Sequence, residues 1–322
     1  PMLPNSRFPV TLATRDYEFV APLALGDVAP EGIDLRLVRA FDALARVAGD
    51  PAVHGGEASF SRYVQRLAAG DRGFVGLPIF VMREFRHRSF FVRRDSTLRD
   101  VADLAGRRVG MDAWPASGNT WSRALMREAG ASIDRVSWVV GPVNPGGVPP
   151  TDVLPAGVEA APAGRTLTDL VLAGELDAFM WAWTPAGFYD AGSPLRRLYP
   201  DYRAAEREYY RRTRIYPAHH IVVLRRDLVD RYPWVVRSIH AAFEQARARA
   251  DANRQVLHES SAWLLADLEE QAEVLGSDFR PYGYRENCRM VAAFCEEQRA
   301  QGLIPAPLDP DAVFAESEPL TH

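Results

Sequence analysis

Residues 77–91, Leu-Pro-Ile-Phe-Val-Met-Arg-Glu-Phe-Arg-His-Arg-Ser-Phe-Phe, place four candidate cations inside a run that begins and ends apolar. Such flanks are what a strand shows where it enters and leaves a buried sheet. Arg83, Arg86, His87 and Arg88 carry the charge, and Phe80, Phe85, Phe90 and Phe91 interleave it. In an extended chain Arg83, Phe85 and His87 would share one face and Arg86 and Arg88 the other. A solvated basic loop is the plain alternative, but it leaves the aromatic area unexplained. Arginines held against aromatic walls form a partly dry place suited to carboxylates. A histidine beside them can move a proton near neutral pH.

A chain of 322 residues can bury a sizeable core and suits two domains better than one. With 47% apolar and 25% charged residues it has ordinary globular composition. Its formal net charge of −4 supplies no global basic field, so neither nucleic acid nor membrane is an expected partner, and any cationic site must be local. Cys288 and Cys295 lie about 10 Å apart on a helical pattern, too far for a disulfide, and read as core thiols of a reducing compartment. The start, Pro1-Met2-Leu3-Pro4, lacks a basic stretch followed by an apolar one; with the reduced cysteines it sets the expectation of a cytoplasmic protein. No apolar run reaches bilayer-spanning length.

Along the chain, residues 8–14 read as a first strand whose polar end, Thr14-Arg15-Asp16-Tyr17, is where α/β folds place ligand contacts. Residues 33–38 form a second strand, followed by a helical pattern around Phe41–Val47. Gly55-Gly56-Glu57-Ala58-Ser59 opens a helix to about Ala69; Ser59 suits its cap, and Glu57 is either a further cap or a carboxylate facing a cleft. A short helix is expected over Leu98–Leu104 and a strand over Arg107–Met111, with the crossing into a second lobe between Arg93 and Arg107. Trp114–Thr120 reads as a small-residue loop feeding a helix from Trp121 to about Ala129, whose free amides make an anion site. Ser117 and Thr120 belong to that loop. Arg123 falls in the first turn, where the dipole disfavours a cation unless an anion compensates.

Residues 141–165, rich in Pro and Gly, read as a surface loop before a helix at Leu167–Leu172. Asp177–Trp183 is a buried strand with Trp181 and Trp183 near its end. Ile215–Leu224, containing His219 and His220, returns to the first lobe. Val236, Ile239, Phe243 and Ala246 form the apolar stripe of a helix after Pro233. Ser260–Val274 and Glu286–Ala300 are further helices, and the tail after Pro305 is expected to be loosely held.

Leu77-Pro78-Ile79-Phe80 with Arg83-Glu84-Phe85-Arg86-His87 resembles the 4,5-dihydroxyphthalate decarboxylase family. So do Asp16-Tyr17, Gly26-Asp27-Val28, Pro30-Glu31-Gly32-Ile33, Glu57-Ala58-Ser59, Asp103-Leu104-Ala105-Gly106, Val109-Gly110, Trp121 with Arg123, Gly174-Glu175-Leu176-Asp177-Ala178 and Tyr216-Pro217-Ala218-His219-His220. They occur in the family's order over residues 10–250, about three quarters of the chain. The resemblance implies an α/β, two-lobed periplasmic-binding-protein-like clamshell of type II, with a ligand cleft between the lobes. Residues 1–105 would begin the first lobe, 106–213 form the inserted second lobe, and 214–322 complete the first with C-terminal helices. His219 stands where the family more often shows an apolar residue, Gly118-Asn119 replaces its usual Thr-Ala, and Trp181-Ala182-Trp183 is bulky.

The implied reaction, aromatic decarboxylation without a cofactor, needs an acid near the carbon that loses its carboxylate, a hydrogen-bond partner for the para hydroxyl, and cations gripping the remaining carboxylate. His87 or His220 supplies the acid, and Glu57 or the other histidine polarises the phenol. Arg83, Arg86 and Arg123 supply the grip, with Tyr17, Ser117, Thr120, Trp121 and Trp181 as further substrate contacts. No His-x-His or His-Glu-x-x-His spacing suggests a metal. The expected partner is a small aromatic carboxylate; homo-oligomerisation is left open. The rival is a solute-binding protein on the same clamshell, holding an anion with the arginines and doing no chemistry.

Overall fold

The computed structural model describes residues 7–40, 49–149 and 151–321. The helical pattern expected around Phe41–Val47 lies outside the described residues. The chain divides into two compact units: one runs to Arg83 and resumes over Ala218–Arg299 and from Ile304, the other is Glu84–Pro217 with Ala300–Leu303.

The first unit is built on a five-stranded sheet: β1 (Phe8–Thr14), β2 (Ile33–Arg39), β3 (Gly55–Ser59), β4 (Phe74–Arg83) and, after the excursion through the second unit, β11 (Ala218–Arg225). Their order is β2-β1-β3-β11-β4. β1 is parallel to β2 and β3, and β11 is antiparallel to β3 and β4. Val75, Leu77, Ile79 and Val81 of β4 are all buried in the core that the helix Trp234–Leu257 covers. The stripe of that helix, Val236, Ile239, Phe243 and Ala246, is buried as its 3.6-residue period requires. Ser59 caps the helix Phe60–Ala68, its Oγ accepting from Arg62 N–H at 3.4 Å.

The tail is packed rather than loose. Phe314 is buried against Phe80, ring centroids 5.6 Å apart, and Ser317 Oγ donates to the Gly76 carbonyl at 2.7 Å. Of the two cysteines only Cys295 is a core thiol, while Cys288 is exposed; both are free.

The second unit has a six-stranded sheet: β5 (Phe90–Arg93), β6 (Arg108–Met111), β7 (Ser137–Val140), β8 (Val158–Ala160), β9 (Ala178–Met180) and β10 (Leu195–Arg197). Their order is β10-β5-β9-β6-β7-β8, with β6 parallel to β7 and β9 and β5 antiparallel to β9 and β10. The segment 141–165 is therefore not all loop, since β8 extends the sheet from within it.

Two expectations for the opening stretch are corrected. Residues 77–91 are not one strand, because β4 pairs in one sheet and β5 in the other, and His87–Ser89 between them is a 3₁₀ turn. The alternation of Arg83, Phe85 and His87 against Arg86 and Arg88 is lost with it. The second unit begins at Glu84 and not near residue 106, since the partners of β5 are β9 and β10. The helix expected from Trp121 starts at Ser117, so Arg123 sits beyond its first turn and the dipole mismatch disappears. Among the described residues no helix is long and apolar enough to cross a membrane.

Candidate active site

In the first unit three of the sequence candidates meet. Glu57 sits on β3 just past the end of its pairing with β1, at the edge of a parallel pair where α/β sheets gather ligand contacts. It reaches that place because two glycines let the strands close in. A Cβ at Gly55 would lie 2.2 Å from the Val223 carbonyl oxygen, and one at Gly56, whose φ is +145°, would lie 2.0 Å from that of Ala13. Gly55-Gly56-Glu57 is thus a close-approach signal that ends in a buried carboxylate.

Both carboxylate oxygens are engaged. Oε1 accepts from Tyr17 Oη at 2.6 Å and lies 2.5 Å from His220 Nδ1; Oε2 accepts from the Arg15 backbone N–H at 3.0 Å. The Arg15 guanidinium adds charge, with Nε 3.6 Å from Oε1. Burial pushes the Glu57 carboxyl up, but the hydrogen bonds from His220 and Tyr17 and the charge of Arg15 outweigh it and hold the group below its ordinary value. Burial first, and the Glu57 charge second, push the Tyr17 phenol far up, so it stays a donor.

Glu57 is only 2% exposed as a side chain and His220 17%. Glu57 therefore faces protein and fixes the ring of His220, while Nε2 of His220 has no hydrogen-bond partner among the described residues. Register shifts in the β4–β11 ladder on both sides of His220 re-aim the strand there. His219, its neighbour, is buried. The sequence marks Arg15 only as part of the Thr14–Tyr17 strand end and not as a candidate of its own; its side chain is 24% exposed beside this cluster.

Arg83, also in the first unit, does not join it. Its Nη2 donates to Asn287 Oδ1 at 2.5 Å and to the Pro281 carbonyl at 3.0 Å, and its guanidinium lies over Phe80. These are the contacts of a structural arginine.

The other candidates lie in the second unit. Arg86 is buried, with Nη1 3.1 Å from Glu84 and Nε 3.5 Å from Ser122 Oγ. Its guanidinium rests on the first turn of the helix Ser117–Glu128, where a Cβ on Gly118 would stand 2.6 Å from Nη2. Glycine at 118 makes that seat. Ser117, Thr120 and Trp121 are buried in the same helix, and Thr120 Oγ1 donates back to Ala116. Asp112, just past β6, accepts from Asn119 Nδ2 at 2.8 Å, and burial pushes its carboxyl up despite Arg86.

Arg123 does not converge with Arg86 on a ligand. It is fully buried over the Trp114 ring, with Nε donating to Gln301 at 2.6 Å and Nη2 to the Trp114 carbonyl at 2.9 Å. Trp181 packs beside Trp183 on the edge of the second unit's core. His87 is buried between Tyr199 and Tyr209, and burial pushes its imidazole down to about 4, so it is neutral near pH 7. Among the described residues no group of three His, Cys, Asp or Glu side chains is placed to hold a metal ion.

No family model matches the chain. It is 31% identical over 327 residues to a 4,5-dihydroxyphthalate decarboxylase of Comamonas testosteroni, covering 96% of this chain and 97% of that protein. A second protein of that name, from Pseudomonas putida, is 30% identical over 212 residues, covering 63% of this chain and 81% of its own. Among solved structures the chain is similar to the periplasmic aliphatic sulphonate binding protein SsuA of Escherichia coli, with TM-score 0.54, 17% identity and 97% and 92% of the two chains covered. It is similar as well to the desulfurization enzyme DSZB, with TM-score 0.52, 18% identity and 95% and 96% covered. The fold is thus that of the two-lobed periplasmic-binding-protein-like proteins, and by full-length sequence similarity the chain belongs to the 4,5-dihydroxyphthalate decarboxylase family.

Proposed function

We propose that the protein is a cofactor-independent decarboxylase of a hydroxylated aromatic dicarboxylate of the 4,5-dihydroxyphthalate type, with His220 protonating the ring. The observation that carries the reading is the Tyr17–Glu57–His220 cluster: an ionised, enclosed carboxylate holds Nδ1 of a histidine whose other nitrogen is left for a ligand. A carboxylate on Nδ1 sets the tautomer and balances a proton carried by the ring. The fold alone does not choose between enzyme and binding protein, since it serves both in its neighbours.

In the proposed step the para hydroxyl pushes electrons toward the carbon bearing the carboxylate, and His220 Nε2–H delivers a proton to that carbon while the hydroxyl proton is lost. The bond to the carboxylate then breaks, its electron pair restores the aromatic ring and carbon dioxide leaves. The phenolate regains a proton and His220 is recharged from water, so each turnover consumes one proton. Glu57 stays ionised throughout and acts through His220. Arg15 is the nearby cation suited to a substrate carboxylate.

The test is incubation of purified protein with 4,5-dihydroxyphthalate, following carbon dioxide and product. Product formed in deuterated water should carry deuterium at the carbon that lost its carboxylate. His220→Gln should lower turnover by about 10²–10⁴-fold with a much smaller loss of affinity. If the protein binds hydroxylated aromatic carboxylates and releases carbon dioxide from none, it is a solute-binding protein.

A further inference from the structure

His87 is left over from this chemistry, and its surroundings are those of a different ligand. The second unit contains a cavity of about 480 Å³ to which His87 contributes its ring, in the size range of small-molecule sites. His87 is 7% exposed, and its Nδ1 is enclosed without a hydrogen-bond partner, so the ring meets the cavity as an aromatic surface. Tyr199 and Tyr209 stand edge-on to the imidazole with ring centroids 5.6 and 5.5 Å away, and Leu125 and Ala205 add apolar wall.

The charged groups around this cavity are mostly acidic. Asp100, Glu128 and Glu208 line it against one cation, Arg212, which is paired with Glu128. Asp100 is occupied with the Ala102 N–H and the Tyr199 hydroxyl, which leaves Glu208 as the carboxylate whose charge is least engaged. A carboxylate ligand would meet repulsion here. A cation with N–H donors would meet aromatic faces and a carboxylate.

We propose that this cavity is a second ligand site, separate from the Tyr17–Glu57–His220 cluster, and that it takes a small organic cation: a primary ammonium carried on an aromatic or apolar group. Its N–H groups reach Glu208, and its apolar part lies against the rings of His87, Tyr199 and Tyr209.

Calorimetric titration of the full chain with benzylamine at pH 7.5 tests this, with benzyl alcohol and benzoate in parallel. Benzylamine should bind saturably below about 10 mM, the range of fragment affinities, and benzyl alcohol about tenfold more weakly. Glu208→Gln should weaken benzylamine about fivefold, the worth of a partly exposed charge pair, and His87→Leu about threefold, by taking an aromatic ring from the wall. Ala205→Trp, which fills the cavity from a helix surface, should abolish binding even if His87→Leu does not fold. Benzoate carries the carboxylate of the proposed substrate; its binding should be unchanged in all three variants, so loss of one ligand without the other separates the two sites. No saturable benzylamine binding, or binding indifferent to Glu208→Gln and Ala205→Trp, overturns the proposal.

Discussion

His220 Nδ1 lies 2.5 Å from Glu57 Oε1, and the same oxygen accepts from Tyr17 at 2.6 Å. One carboxylate oxygen thus joins a phenol and an imidazole from separate parts of the sequence. Replacing Glu57 by Gln keeps the shape but removes the charge and puts an amide against two donors. Turnover should fall by about 10²–10⁴-fold. Nitrogen-15 spectra of the His220 ring should show a changed tautomer, a readout that a merely structural role would leave alone.

Glu57 also links stability to pH. Its folded value is depressed below the 4.5 of a free carboxyl, so the group stabilises the fold above about pH 4.5, and that contribution is lost as pH falls through the lower folded value. Glu57→Ala should cost roughly 3–5 kcal/mol in denaturant melts at pH 7, because it strands the Tyr17 hydroxyl, the His220 N–H and the Arg15 amide.

His87 produces a second acid-side loss at higher pH. Its folded value of about 4, against 6.5 unfolded, favours the neutral ring. Stability from this group is complete above pH 6.5 and declines as pH falls through about 4, by about 3 kcal/mol in all. His87→Leu should flatten the stability curve between pH 6.5 and 4 and leave the part below pH 4 that Glu57 governs.

The arginines separate by what they touch. Arg15→Ala should raise KM about tenfold or more with the fold intact, the loss of a charge-assisted contact. Arg123→Leu strands Gln301 and the Trp114 carbonyl and should cost roughly 3–5 kcal/mol of stability. A double-mutant cycle of Arg123 with Gln301 should show a coupling of about 0.5–3 kcal/mol. Equal effects on KM and none on melting would reverse this division.

Removing Phe314 tests the packed tail. Phe314→Ala should cost about 3–5 kcal/mol by emptying the space against Phe60 and Phe80. A melting curve unchanged by it would mean that the tail does not cover the core.

What the sequence determined by itself is whatever rests on neighbours a few positions apart. The stripe at Val236, Ile239 and Phe243 names a buried helix face because the 3.6-residue period is local. Ser59 announces a cap, but Gly55-Gly56-Glu57 before it reads as the opening of that helix, and only the pairing with β1 and β11 makes it strand β3. Tertiary structure decided everything that depends on partners far along the chain. His220 is 163 positions from Glu57, and only the strand order that sets β11 beside β3 brings them together. Arg123 reads as a ligand clamp until Gln301, 178 positions away, takes its Nε. The run 77–91 reads as one strand until β4 and β5 find different sheets. Periodicity says which side of an element is apolar; it carries no record of which element arrives to cover that side, and the partner that arrives is what makes an arginine a clamp or a strut.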